Sequence, residues 1–203
     1  MVGYCMMKIY TQPDKVILTD CDGVLLDWEY AFDTWMHRHG YTIKESGHYA
    51  VTIKYSITKQ ESKKLIMMFN ESAWIRRLSP LRDAIKYVRK LHEEHGYVFH
   101  CISSLTDDEY SQHLRTKNLQ ELFGESAFTR YVYLDCGADK DKSLKEYKDS
   151  NCWWLEDKPE NAIVGDSLGL NAIIMGHNHN ANYTGTIPRV HDWREAYRLI
   201  TGE

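Results

Sequence analysis

A chain of 203 residues, 43% of them hydrophobic, has the length and apolar content for one compact core with an elaboration. A net charge of −4 and a pI near 6.2 give no overall attraction for nucleic acid or an acidic membrane, so any phosphate recognition must be local. No segment approaches the ~18 apolar residues of a membrane span, and "MVGYCMMKIY" lacks the apolar run of a signal peptide. The five cysteines, Cys5, Cys21, Cys101, Cys136 and Cys152, are odd in number and form no Cys-x-x-Cys pair, which suits reduced thiols; the expectation is a soluble, cytoplasmic protein.

In chain order, "VILT" (16–19) comes first, a β-branched apolar run ending at an acidic pair, as a buried parallel strand does. Alternation then breaks between Trp28 and Leu78, where "WEYAFDTWMHRHG" and "TKQESKKLIMMFNESAW" read as helices and "YAVTIKY" is the one sheet-like stretch. This predicts a small, mostly helical insertion over 27–78, placed as a cap over the strand ends, with 1–26 and 79–203 forming the core domain.

"LRDAIKYVRKLHEEHG" carries Leu81, Ala84, Ile85, Val88 and Leu91 at helical spacing between Ser79-Pro80 and Gly96. "YVFHCI" (97–102) reads as a strand ending at Ser103-Ser104, and "TDDEYSQHLRTKNLQELFG" as a helix with a capping residue and an acidic first turn. "RYVYLD" (130–135), "CWWLE" (152–156) and "NAIIM" (171–175) are three further strands, and Trp153 and Trp154 should face opposite sides of the sheet. "KDKSLKEYKD", "PENAIVGDSLG" and "HDWREAYRLI" read as helices, and "GHNHN" (176–180), with His177 and His179, as a polar loop. Such alternation predicts a doubly wound α/β fold, a parallel sheet with helices on both faces and ligands at the carboxyl ends of the strands.

Four polar clusters fall at those ends: Asp20 with Asp22, Ser103 with Ser104, Lys140 with Lys142, and Glu156 with Asp157. Crowded carboxylates cost energy unless a cation compensates, and a hard oxygen site suits Mg²⁺. Lysine and serine offer a phosphate positive charge and a hydroxyl donor. Together they point to magnesium-assisted phosphoryl transfer. Asp166 in "VGDSLGLN" is a rival to Asp157, but only four residues separate it from the next strand, too few for a crossover helix. Of the two lysines, Lys142 in "DKS" is preferred, with Lys140 left open.

"DCDGVLLD" resembles the first motif of the haloacid dehalogenase superfamily, Asp-x-Asp-Gly-Val/Thr, and Ser103, Lys142 and "EDKPEN" follow its other three motifs in order. The resemblance implies a Rossmann-like core with a C1-type cap after strand one. It implies that Asp20 attacks phosphorus to form an aspartyl-phosphate, and that Asp22 protonates the leaving oxygen and then activates water. Ser103 and Ser104 would hold the phosphoryl group, Lys142 would neutralise charge, and Asp20, the Asp22 carbonyl and Asp157 would bind Mg²⁺ with Glu156 behind them. The second aspartate, which dehalogenases lack and transport ATPases replace with threonine, implies a phosphatase.

"DCDGVLLDW", "CISSL" (101–105), "DKS" and "GHNHN" are similar to stretches of the 5'(3')-deoxyribonucleotidases, although Ser104 stands where that family has proline and Glu156 where it has aspartate. This implies a nucleoside monophosphate as the small-molecule partner, with Trp28 and Trp74 contacting the base. Phe32 and Trp35, at helical spacing, fit the core of the cap instead. Neither a membrane nor polymeric nucleic acid is an expected partner, and the expected state is a monomer or homodimer. The alternatives are a phosphatase for another small phosphoester or a polynucleotide end, and a phosphate- or nucleotide-binding module without turnover.

Overall fold

The β-branched run "VILT" forms β1 (Val16–Thr19) in the middle of a parallel sheet. The computed structural model describes residues 15–203; Cys5 and the rest of the first fourteen residues of the expected 1–26 segment lie outside the described residues. After β1 come α1 (Trp28–Arg38), α2 (Val51–Tyr55), α3 (Lys59–Asn70), a 3-10 turn (Ala73–Arg77) and α4 (Ala84–Glu93). Then follow β2 (Val98–Ser104), α5 (Glu109–Phe123), β3 (Phe128–Leu134), α6 (Asp141–Leu144), β4 (Trp153–Glu156), α7 (Pro159–Ser167), β5 (Asn171–Met175), β6 (Arg189–Val190) and α8 (Trp193–Thr201). The two-residue β6 has no signature distinct from a loop and is absent from the sequence-based expectation. No helix among the described residues is long and apolar enough to cross a membrane.

The strands pair in the order β3-β2-β1-β4-β5-β6, each pair parallel. Winding runs outward one way from β1 and then restarts at β4 on its other side, so the crevice at the carboxyl ends of β1 and β4 is the topological switch point of this α/β fold. Period-two alternation divides the strands between two cores. Ile17, Leu155, Ile173 and Met175 face the side packed by α4, α5 and α8, whereas Leu18, Trp154, Ala172 and Ile174 face α6 and α7. Trp153 and Trp154 thus join opposite cores, as expected of neighbours on a strand.

On the second face, α7 lies so close to the sheet that a Cβ at Gly165 would collide with the fully buried Trp154 ring, its Nε1 only 3.0 Å away. Gly165→Ala is therefore expected to destabilise the fold by about 1–3 kcal/mol through overpacking. Urea unfolding of the variant beside the parent chain checks this.

The segment after β1 is helical, and its two ends lie side by side, with Asp27 N donating to Ser79 O at 2.9 Å and Leu81 N to Leu25 O at 2.9 Å. One expectation is corrected within it: "YAVTIKY" contributes no strand but the short helix α2, which ends at Ser56 in the left-handed region (φ 56°). Consecutive residues on a strand point to opposite faces, whereas Lys54 and Tyr55 both reach Asp33 of α1, which a helix allows.

Candidate active site

Asp20 follows β1 directly, and its amide donates to Leu155 O of β4 at 2.9 Å, prolonging the pairing of the two strands into the crevice. The chain then turns sharply, with the amides of Leu25 and Leu26 donating to Cys21 O at 2.8 and 3.0 Å. Gly23 makes that turn possible. Its φ is +75°, and a Cβ there would stand 2.6 Å from Asp157 Oδ2, so the glycine behind the acidic pair brings β1 and β4 carboxylates together.

Asp20, Glu156 and Asp157 are all buried, and each places a carboxylate oxygen within 4.8 Å of the others. Into this group projects Lys140, 3% exposed, with its Nζ 2.6 Å from Asp20 Oδ2 and 2.6 Å from Glu156 Oε2. Burial opposes the ammonium charge, but Asp20 and then Glu156 outweigh that and hold its pKa above the ordinary lysine value. Glu156 is pushed well up by burial, with Lys140 pulling the other way. Its second oxygen accepts from the amides of Asp157 and Lys158 at 3.2 and 3.1 Å, so Glu156 is fully engaged as the support of Lys140.

The expected Lys142 is corrected to Lys140. Lys142 lies exposed in α6, whereas Lys140 stands one turn before the buried Leu144, whose amide donates to Lys140 O at 3.0 Å. Asp166 is exposed on α7, away from the cluster that holds Asp157. The Asp22 carboxylate is not part of the converging group either; its Oδ1 takes a 2.5 Å bond from the fully buried Arg115 of α5, which also donates to Cys21 Sγ at 3.0 Å. Burial pushes the Asp22 carboxyl above its ordinary pKa, against the pull of Arg115 and with a further push from Asp20.

Ser103 Oγ is buried beside this cluster with no hydrogen-bond partner, while Ser104 Oγ donates to Ala138 O at 3.0 Å. Asp157 Oδ1 is likewise buried and unpartnered. Burial raises the Asp157 carboxyl, yet His179, the hydrogen bond with Glu156 and the charge of Lys158 together more than reverse this and bring it below the usual aspartate value. Unpartnered carboxylate lone pairs beside a second carboxylate are what a hard divalent cation satisfies, so the donor set fits Mg²⁺.

The loop "GHNHN" does more than end β5. His177 Nε2 lies 2.6 Å from Gly23 O, His179 Nε2 lies 3.1 Å from Asp157 O, and Asn180 Nδ2 donates to Asp157 O at 2.7 Å and Met175 O at 2.8 Å. It fixes both the first turn and the end of β4. Arg115, Asn180 and Lys140 are thus the positioning groups that sequence reading missed or ranked second.

A cavity of about 370 Å³ opens between the cluster and the helical insertion, bounded by Asp20, Asp22 and Ser103 on one side and by Trp28, Phe32 and Lys54 on the other. Trp28 is positioned by a stack on Phe32, with centroids 4.6 Å apart, and by its indole N–H donating to Asn70 Oδ1 at 2.9 Å. Phe32 is both insertion core and cavity wall, and Trp35 is core. Trp74 is corrected: it sits in the 3-10 turn under the Arg38 guanidinium, 4.9 Å from its ring, and does not line the cavity.

No protein-family model matches this chain. An uncharacterised 32.4 kDa protein of phage T4, from the Gp30-rIII intergenic region, is 24% identical over 189 residues, 88% of this chain and 67% of that protein. Among solved structures, a haloacid dehalogenase-like hydrolase from Streptococcus pneumoniae superposes with a TM-score of 0.64 at 12% identity, over 95% of this chain and all of the other. The fold is that of the haloacid dehalogenase-like hydrolases. A phosphatase of that class from Thermococcus onnurineus gives 0.60 at 16% identity, covering 93% and 99% of the two chains. A hydrolase of the class from Bacillus subtilis, bound to magnesium, gives 0.57 at 12%, covering 92% and 98%. The architecture read from strand and helix alternation is therefore this one, and the buried acidic cluster lies at its switch point.

Proposed function

We propose that the protein is a cytoplasmic Mg²⁺-dependent phosphomonoesterase, most suited to nucleoside monophosphates, with residues 27–78 as its cap. The observation that carries this reading is the meeting of Asp20, Asp157 and the buried Lys140 at the switch point, beside a Ser103 hydroxyl and an Asp157 oxygen that have no partner. Asp20, Asp157 and the Asp22 carbonyl would hold Mg²⁺, which supplies charge neutralisation for the transferring phosphoryl group. Asp20 attacks phosphorus and becomes the aspartyl-phosphate as the bond to the leaving oxygen breaks, and Asp22 gives that oxygen its proton. Asp22 then takes a proton from water, which attacks phosphorus, frees Asp20 and yields inorganic phosphate. Lys140 stabilises charge on Asp20 and the phosphoryl oxygens, and Ser103 donates to the latter. Because Asp22 lines the cavity with its pKa raised, it can carry the proton to the leaving group. The apolar face of Trp28 suits a stacked base.

Phosphate release from 5' and 3' nucleotides and sugar phosphates, with Mg²⁺ or a chelator, tests this. Nucleoside monophosphates should outrun sugar phosphates, and chelation should lower release by about 100-fold or more. Faster sugar phosphates would remove the nucleotide reading, and no release from any ester would leave a binding module.

A further inference from the structure

The cavity wall that the helical insertion supplies holds a second charged cluster that this chemistry does not use. Lys54 of α2 is only 6% exposed yet borders the cavity. Its Nζ donates to Glu29 Oε1 at 2.7 Å and to Asp33 Oδ2 at 2.5 Å, and the Tyr55 hydroxyl donates to the other Asp33 oxygen at 2.7 Å. Two of the three ammonium protons are thereby used and the group is fixed in place. Burial works to strip the charge from Lys54, but Asp33 and Glu29 more than reverse this.

The same wall carries the apolar groups of Trp28, Phe32, Val51 and Ile66, with the polar Ser62 and Asn70 among them. An isolated brace between α1 and α2 has no need to sit at the edge of this cavity, and burying a lysine is costly unless it is paired. One ammonium against two carboxylates also leaves this cluster with one negative charge, in a cavity whose core side sets Asp20, Asp22 and Asp157 against Lys140 and Lys158.

Building on the phosphatase reading, we propose that Lys54 reads the leaving group from the insertion's side of the cavity. Its third proton goes to a neutral acceptor there, while Glu29 and Asp33 turn away leaving groups with a second phosphate or carboxylate. The substrate class narrows to phosphomonoesters whose leaving group is neutral, apolar on its faces and equipped with an acceptor at its edge.

Acetyl phosphate, whose leaving group is small and has no base, reports the chemistry alone, whereas nucleoside monophosphates and 3',5'-bisphosphates also report the insertion's wall. In Lys54→Met the ratio of kcat/KM for a nucleoside monophosphate to that for acetyl phosphate is expected to fall about tenfold. Glu29→Gln keeps an oxygen for Lys54 and removes a charge, so the bisphosphate-to-monophosphate ratio should rise about fivefold. An unchanged ratio in Lys54→Met, with both substrates slowed together or neither, makes Lys54 a brace of α2 and overturns the proposal while the phosphatase reading stands. If the parent chain releases phosphate from neither substrate, the phosphatase reading fails, and calorimetric binding of a nucleoside monophosphate decides the question. Affinity about tenfold weaker in Lys54→Met sustains the proposal, and equal affinity or no binding overturns it.

Discussion

Asp20→Asn is expected to abolish turnover, by on the order of 10⁴-fold or more, while the chain remains folded. An amide is a poor nucleophile at phosphorus, so the covalent step is lost. Asparagine is isosteric with aspartate and keeps an oxygen for the Cys21 amide, which Asp20 Oδ1 now accepts at 2.6 Å. Lys140 keeps its other partner, Glu156, at 2.6 Å, so its buried charge is not abandoned. Circular dichroism and urea unfolding should report a folded protein. Labelled phosphate from substrate should remain on the parent chain after an acid quench, be released by hydroxylamine as an acyl phosphate is, and be missing from the variant. Turnover surviving the substitution would rule out Asp20 as the nucleophile.

That experiment rests on a residue whose place was legible in the sequence, because a strand of β-branched residues fixes where its last side chains emerge. The same holds for Ser103 at the end of β2 and Asp157 at the end of β4. What was not legible lies on helices and loops, where chemistry is not announced by apolar periodicity. Arg115 sits with Ser111, Asn118 and Leu119 on the buried face of α5, a face so polar that no hydrophobic stripe marks it. Lys54 looked like one step of an alternating strand, and its partners on α1 were needed to make that segment helical. Tertiary contacts overrode local β-propensity there. Asn180 braces β4 through a backbone carbonyl, an interaction that any short polar loop is equally able to make.

Lys140 and Lys142 were separable in principle. The helix α6 has one buried anchor, Leu144, and a residue four positions earlier lies on its face while one two positions earlier lies nearly opposite. Lys140→Met and Lys142→Met should therefore behave differently in two measurements. Loss of the Lys140 ammonium leaves Asp20 and Glu156 facing each other, buried and uncompensated, a defect worth about 3–5 kcal/mol when a buried ion pair is broken. Phosphate release should also fall by about 100-fold or more, since charge on the transferring group loses its fixed counter-ion. The stability deficit has a defined pH dependence in metal-free buffer. Burial already holds the Glu156 carboxyl well above its ordinary pKa, with Lys140 pulling it down, so removing Lys140 raises it further. A carboxyl raised in the folded state binds protons more readily there than in the unfolded chain, so its penalty is small below the ordinary glutamate range. It grows as pH rises from that range towards the raised folded value. Urea unfolding should accordingly show a larger gap between Lys140→Met and the parent at about pH 7.5 than at about pH 5. Lys142→Met, on an exposed side chain, should match the parent in both unfolding and turnover; loss of turnover in that variant with retention in Lys140→Met would reverse the assignment.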